Sequence, residues 1–266
     1  MNRITAVIAK LQKTGKKAFI PFITAGYPDI KKTAALVQSL DRAGAALIEL
    51  GMPFSDPLAD GPAIQESSFE AIQSGTTPDM VFECIRKIRL WSTIPIILFT
   101  YSNLIISKGI DTFMELLTDS GGDGLIIPDV PLEESTPFIH SAHMHHIKMI
   151  QLISPLTHPK RMKRIESVSD DFVYCVSITG VTGERSELFK QIQLYLKTVR
   201  ETLNKPFMVG FGISTPEDAK KIAQLADGIV VGSALISRIK QHKNSDTLSD
   251  EIYHFATEIV NGISTI

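Results

Sequence analysis

Two carboxylates lie close together in the sequence, where the end of a predicted buried strand meets a loop rich in proline and glycine. Glu49 follows the apolar run 45–48, and Asp60 lies in the loop before a helical pattern that begins near Pro62. Proline and glycine impose specific backbone conformations, so such a loop is defined in shape rather than merely flexible. The stretch therefore predicts two acids held together at the mouth of a pocket, where they can exchange protons with a ligand.

The surroundings of each acid suggest a role and an alternative. Apolar neighbours in the sequence predict that Glu49 is partly desolvated, which raises the pKa of a carboxyl group toward neutrality. The alternative for Glu49 is a structural ion pair with a lysine or arginine. Asp60 precedes Gly61 and Pro62, so its alternative is to cap the following helix. Asp56 is the better candidate for shaping the loop through hydrogen bonds.

Strand and helix patterns alternate along the whole chain. Strands are predicted at 19–23, 46–50, 94–99, 124–127, 148–153, 172–177, 207–210 and 228–231. Eight strands, each followed by a helix, predict an α/β fold of the (β/α)₈ TIM-barrel type, here with an extra N-terminal helix and a single domain over residues 1–266. An open doubly wound sheet is the competing fold, but the first strand is followed by TAGYP (24–28) rather than by a GxGxxG motif.

Composition excludes several classes of function. The 266 residues carry 27 basic and 29 acidic side chains, so no basic footprint for nucleic acid or an anionic membrane is present. Cys84 and Cys175 are far apart and form no CxxC motif, which predicts two free thiols in a reducing compartment. The N-terminal pattern is an amphipathic helix rather than a targeting segment. We expect a soluble, cytoplasmic protein.

Three loops after late strands are made of small residues: GVTG (180–183), GFGIS (210–214) and GSA (232–234). In TIM barrels, phosphate is bound by backbone N–H groups of the loops after strands 7 and 8 and by the N-terminus of a short helix. Glycine lets the backbone approach such a ligand closely. Gly212 and the pair Gly232–Ser233 fit that role, with Gly183 contributing from the preceding loop. The segment 181–186 also resembles a mobile lid.

Aromatic and aliphatic side chains at or near the predicted strand ends could form the wall of a pocket for a flat aromatic ligand, and about half are equally explained as barrel core. They are Phe22, Phe99, Tyr101, Ile126, Leu152, Tyr174 and Phe211. The histidines at 140, 143, 145 and 146 suggest a metal site. They lie at a helix end on the opposite face of the barrel without completing ligands, so we predict a solvated helix end and no metal.

The run ELGMPFSDPLADGP (49–62) resembles the signature of the tryptophan synthase α subunit family. The segments FIPFITAGYP (19–28), GFGIS (210–214) and GSA (232–234) match the family in the same order, so the resemblance covers nearly the whole chain. It implies a lyase of tryptophan biosynthesis that cleaves indole-3-glycerol phosphate to indole and glyceraldehyde 3-phosphate. Glu49 would be the proton shuttle, and Asp60 would hold the indole N–H.

By the same resemblance, Phe22, Tyr174 and Phe211 line the indole pocket, and Tyr174 orients Glu49. Together with the loops described above, the predicted substrate-binding residues are Phe22, Tyr101, Tyr174, Thr182, Gly183, Phe211, Gly212, Gly232 and Ser233. The sequence departs from the family at Ile178, where many members have an arginine. That departure affects a lid-closing contact rather than the backbone phosphate site.

The family works as an αββα complex, which implies a β subunit as partner. Pyridoxal phosphate is expected in that partner, so no cofactor is expected in this chain. The positions that match the family near the contact are Pro53, Asp56, Asn103 and Pro131. Two other functions stay open: another TIM-barrel isomerase or lyase acting on a sugar phosphate, and a non-catalytic activator of a β subunit.

Overall fold

Nine short parallel strands form one sheet in the computed structural model, which describes residues 1–176, 185–210 and 212–264, with the side chains of 185–188 excepted. The strands are Ala18–Thr24 (β1), Ile48–Gly51 (β2), Ile96–Phe99 (β3), Gly124–Ile126 (β4), Lys148–Met149 (β5), Gln151–Ile153 (β6), Val173–Val176 (β7), Phe207–Gly210 (β8) and Gly228–Val231 (β9).

The sheet closes into a barrel where the chain passes from β5 to β6. Neighbouring strands follow the order β5-β4-β3-β2-β1-β9-β8-β7-β6, so the two edges are β5 and β6. These edges are consecutive segments of the chain, separated by Ile150, whose N–H donates to the carbonyl of Leu125 at 3.0 Å. The single strand predicted at 148–153 is therefore divided in two, and the predicted (β/α)₈ barrel is confirmed.

Helices cover the outside of this barrel and lie between successive strands. Those described are Arg3–Thr14 (α1), Ile30–Arg42 (α2), Pro62–Gln73 (α3), Pro78–Arg89 (α4), Ser102–Lys108 (α5), Ile110–Ser120 (α6), Thr136–Met144 (α7), Pro159–Val168 (α8), Arg185–Thr202 (α9), Pro216–Ala223 (α10), Ser233–His242 (α11) and Leu248–Ser264 (α12), with a 3₁₀ turn at Leu132–Glu134. No helix in the described part of the chain is long and apolar enough to span a membrane.

Helix α1 lies across the end of the barrel where the strands begin. Its Ile4 is fully buried against Gly124, the first residue of β4, where an added Cβ would lie 2.7 Å from the Ile4 Cδ1. Arg3 holds the helix in place by donating to Asp123 at 2.8 Å. Because α1 covers this end, a ligand reaches the barrel from the opposite end, where the strands finish.

The register of the strands directs side chains into the barrel. Phe22 in β1 is the Cα partner of Glu49 in β2, and Leu152 in β6 is the partner of Tyr174 in β7. Partnered residues on adjacent parallel strands point to the same side of a sheet. All four side chains line one internal cavity, so these strand ends bring a carboxylate and two aromatic rings to the same rim.

Candidate active site

Strand β2 places Glu49 inside the barrel, where only 2% of the residue is exposed. The pKa of its carboxyl group is raised to about 8, first by burial and then by the nearby charge of Asp60, although a hydrogen bond from Tyr174 opposes the rise. Its Oε2 has no hydrogen-bond partner among the described residues. Glu49 is thus mostly neutral at pH 7 and can exchange a proton with a ligand, as the sequence predicted from its apolar neighbours.

Asp60 lies in the loop between β2 and α3 and faces the same cavity. The hydroxyl of Tyr101 donates to its Oδ2 at 3.0 Å. Burial raises the pKa of Asp60 to about 6 although this hydrogen bond opposes the rise, so the group is largely ionised at pH 7. Helix α3 has Gly61 as its N-cap without a side-chain cap bond, so the alternative in which Asp60 caps that helix is wrong.

Side-chain contacts with α3 and α5 fix the loop that carries Asp60. The Ser68 hydroxyl accepts from the Phe54 N–H at 2.8 Å and donates to the Phe54 carbonyl at 3.0 Å. The Phe54 ring stacks on Tyr101 with centroids 5.0 Å apart, and the Tyr101 hydroxyl accepts from the Ala59 N–H at 3.1 Å. Asp56 contributes less, since its exposed carboxylate accepts only from the neighbouring Ser55 hydroxyl at 2.5 Å among the contacts described.

The two acids share a cavity of about 1310 Å³ at the carboxyl ends of the strands. Seven of the eleven residues predicted as catalytic or substrate-binding line it: Phe22, Glu49, Asp60, Tyr174, Gly212, Gly232 and Ser233. Tyr101 does not line the cavity, but its hydroxyl donates to Asp60, which does. Thr182, Gly183 and Phe211, together with Ile178 and most of the predicted lid, lie outside the described residues. The cavity thus brings together most of the residues selected from the sequence.

The wall of the cavity near Glu49 is apolar. The rings of Phe22 and Phe99 meet edge to face with centroids 5.8 Å apart, and Leu152 continues the same surface. Helices add side chains that the sequence analysis missed, namely Ile64 from α3 and the pair Phe189 and Ile192 from α9. Their only signal was helical periodicity, which does not separate a cavity wall from ordinary core.

Two helix N-termini also line the cavity. Thr215 caps α10 by accepting from the Asp218 N–H at 3.1 Å, and Gly212 and Ser214 precede it. Helix α11 begins at Ser233 with Gly232 as N-cap, and it has no side-chain cap bond. Uncapped N–H groups and the helix dipole make such an N-terminus favourable for an anion. The cavity therefore combines an apolar wall and two carboxyl groups with an anion-binding end, which is the part lined by these N-termini.

The histidines do not form a second site. His140, His143 and His146 are exposed around the end of α7, and the Nε2 of His143 lies 2.8 Å from an Asp170 carboxylate oxygen. No group of three or more potential ligands is arranged to hold a metal ion within the described part of the chain. These contacts fit the solvated helix end that the sequence predicted.

The close packing of Tyr174 gives a first testable prediction. A Cβ added at Gly210 would lie 2.6 Å from the Tyr174 hydroxyl oxygen, whereas one added at Gly212 meets none of the described atoms within 4 Å. Overpacking a rigid site typically costs about 1–3 kcal/mol. We expect Gly210→Ala to lower the melting temperature by several degrees and the matched Gly212→Ala to leave it unchanged, as measured by calorimetry. Equal melting temperatures for the two variants would contradict the packing described here.

A (β/α)₈ barrel with two carboxylates in a cavity at the carboxyl ends of its strands belongs to the class of barrel enzymes that act on small molecules. Comparison with known proteins identifies the family. The model of the family described as "Tryptophan synthase alpha chain" matches residues 8–263. The chain belongs to this family.

Individual relatives agree with the family match. The tryptophan synthase alpha chain of Thermoanaerobacter sp. (strain X514) is 46% identical over 259 residues, which cover 97% of this chain and 98% of the relative. That of Synechocystis sp. is 42% identical over 265 residues, 99% of this chain and 100% of the relative. The crystal structure of tryptophan synthase subunit alpha from Legionella pneumophila str. Paris superposes with a TM-score of 0.93 at 34% identity, and all of each chain is covered.

Proposed function

We propose that this chain is the α subunit of a tryptophan synthase and cleaves indole-3-glycerol phosphate to indole and glyceraldehyde 3-phosphate. The observation that carries the proposal is the buried Glu49, whose pKa of about 8 keeps a proton available at neutral pH beside an ionised Asp60. Family membership supplies the identity of the substrate. The cavity suits such a molecule, because it offers an apolar wall for a ring and helix N-termini for a phosphate.

The proposed reaction is a retro-aldol cleavage. Neutral Glu49 gives its proton to C3 of the indole ring while ionised Asp60 accepts a hydrogen bond from the ring N–H and stabilises the positive charge that develops there. The bond from C3 to the glycerol chain then breaks, and its electron pair restores the indole ring. The Glu49 carboxylate takes the proton of the adjacent hydroxyl group, which becomes the aldehyde. Glu49 thus ends the reaction as it began.

We assign the rest of the cavity to binding. Phe22 and Tyr174 would contact the indole ring, and the backbone N–H groups of Gly212, Gly232 and Ser233 would hold the phosphate. Glycine at 232 suits this role, because an added Cβ would lie 3.4 Å from the Cβ of Phe22 and narrow the space beside α11. The assignments of Thr182, Gly183 and Phe211 to the same site rest on the resemblance in sequence alone.

We also propose that the chain works with a β subunit through the loops at the carboxyl ends of the strands. The predicted contact residues Pro53, Asp56, Asn103 and Pro131 lie in or directly after the loops that follow β2, β3 and β4. The loop after β2 leaves 91% of Leu58 accessible, and α5, which follows the loop after β3, leaves 58% of Ile106 accessible. Exposed apolar side chains grouped on one face favour a protein contact.

The cofactor requirement, the domain organisation and the location complete the proposal. The family's pyridoxal phosphate belongs to the β subunit, so this chain needs no cofactor for its own reaction. We propose that residues 1–266 form a single domain, since one cluster of buried side chains extends from Ile4 to Ile263. A cytoplasmic location fits a biosynthetic enzyme whose two cysteines are free and buried. A purely activating role is disfavoured by the placement of both acids in one cavity.

Indole release from indole-3-glycerol phosphate tests the proposal directly. We expect the chain alone to release indole slowly and an added tryptophan synthase β subunit from one of the relatives to increase the rate. Complex formation is checked in parallel by gel filtration. If the chain binds the β subunit and still releases no indole, the chain is not a lyase. If a bound β subunit leaves the rate of indole release unchanged, the proposed reaction stands, but the proposed activation by the β subunit is wrong.

A further inference from the structure

Carboxylates outnumber cationic side chains among the described residues that line the cavity. Those that carry a carboxylate or an amine are Glu49, Asp60, Glu217, Asp218 and Lys221. Four of them are acids, and two of these, Glu217 and Asp218, belong to α10 at the end where the phosphate would bind. Opposite charges attract in a partly desolvated site, so a cation that faces this end favours the binding of a dianion.

Lys221 is placed to supply that charge. It lies in α10, whose N-terminus begins directly after the loop of Gly212 and Ser214. In a helix the Cα–Cβ bonds tilt toward the N-terminus, so the Lys221 side chain lies over the turn that contains Glu217 and Asp218. Its ammonium group is therefore directed back toward the anion-binding end of the cavity rather than away from it.

The ammonium group of Lys221 forms no ion pair with a carboxylate of the described residues. Among the described contacts, its partner is the Phe189 ring of α9, with the Nζ 5.9 Å from the ring centroid. This separation is close to the outer limit of about 6 Å for a cation–π contact, so the contact is weak and an anion can compete for the charge. Phe189 and Lys221 both line the cavity, and their contact joins α9 to α10 across its mouth.

We propose that Lys221 determines specificity for the phosphorylated substrate by attracting and pairing with its phosphate group. This inference rests on the proposed function and extends it. The backbone N–H groups provide direction for the phosphate, and Lys221 provides a positive charge beside it. Lys220 is the natural comparison, because it is the adjacent residue on α10, is exposed and does not line the cavity.

The experiment compares the wild-type chain with Lys221→Ala, Lys221→Arg and Lys220→Ala. The two alanine variants change the net charge equally, so they differ only in position. We expect Lys221→Ala to raise the KM for indole-3-glycerol phosphate and the Kd for glycerol 3-phosphate about 5-fold, as for an exposed to half-buried ion pair. The value of kcat and the affinity for indole should stay unchanged, because neither involves the ammonium group. Lys221→Arg should restore most of the affinity.

Salt adds an independent readout. Ionic strength screens the attraction, so added sodium chloride should weaken glycerol 3-phosphate binding more in the wild type than in Lys221→Ala. Identical Kd values and salt dependence for the two alanine variants would overturn the proposal. A loss of kcat or of indole affinity in Lys221→Ala would also overturn it, by indicating a structural role. Glycerol 3-phosphate binding needs no turnover, so failure of the lyase reaction and failure of this inference are separately visible.

Discussion

Replacing Glu49 with glutamine is expected to lower the rate of indole release by about 10²–10⁴-fold, the usual contribution of a general acid–base group. Glutamine keeps the shape of the side chain, but it can neither give the proton to the ring carbon nor take one from the hydroxyl group. The Tyr174 hydroxyl can still donate to the amide oxygen, so the geometry of the site is retained. The rate is measured as kcat for indole-3-glycerol phosphate, with the β subunit present and absent.

The stability of Glu49→Gln is the control for this loss. The pKa of Glu49 is raised from 4.5 to about 8 in the folded chain, so the folded state holds a proton that the unfolded state releases between these values. The wild type therefore loses stability from this group as the pH rises from about 4.5 to about 8. The glutamine variant lacks that loss, so its melting temperature should match the wild type near pH 5 and exceed it near pH 8. A variant that is inactive and also less stable at every pH would point to misfolding instead.

The sequence predicted the barrel well because its evidence is local. Each strand is a short apolar run and each helix has a periodic apolar face, and these patterns need no knowledge of distant contacts. The prediction failed in detail at Ile150. This residue lies where the sheet passes from pairing with β4 to pairing with β7, so the continuous strand expected at 148–153 is divided. This change of partner depends on β4 and β7, which are distant from Ile150 in the sequence, so a local pattern does not show it.

The site was predictable as far as its residues come from strand ends and from the loops that directly follow them. Glu49, Tyr174 and Gly232 were found because barrel geometry brings the carboxyl ends of all strands together. Ser68 was not found, although it holds the loop of Asp60 through two hydrogen bonds to Phe54, because nothing near Ser68 in the sequence distinguishes it from other serines of an amphipathic helix. Lys221 was missed for the same reason, since its proposed role depends on the cavity that it lines.

The second large effect concerns Asp60 and the pH dependence of the reaction. Glu49 must start protonated and Asp60 ionised, so the rate should fall above a pH of about 8 and below a pH of about 6. Asp60→Asn removes the charge that stabilises the indole N–H in the transition state, and we expect it to lower kcat/KM by at least about 10²-fold. The measurement is a pH profile of kcat/KM for both proteins.

The profile of the variant separates Asp60 from the substrate, whose phosphate also titrates near pH 6. If the acid limb belongs to Asp60, it disappears in Asp60→Asn; if it persists unchanged, it belongs to the phosphate, and the assignment of Asp60 is wrong. The alkaline limb supplies a second check. The charge of Asp60 raises the pKa of Glu49, so its removal should move that limb below pH 8. A shift in this direction requires the two carboxylates to interact across one cavity, because a change confined to Asp60 would leave the titration of Glu49 where it was.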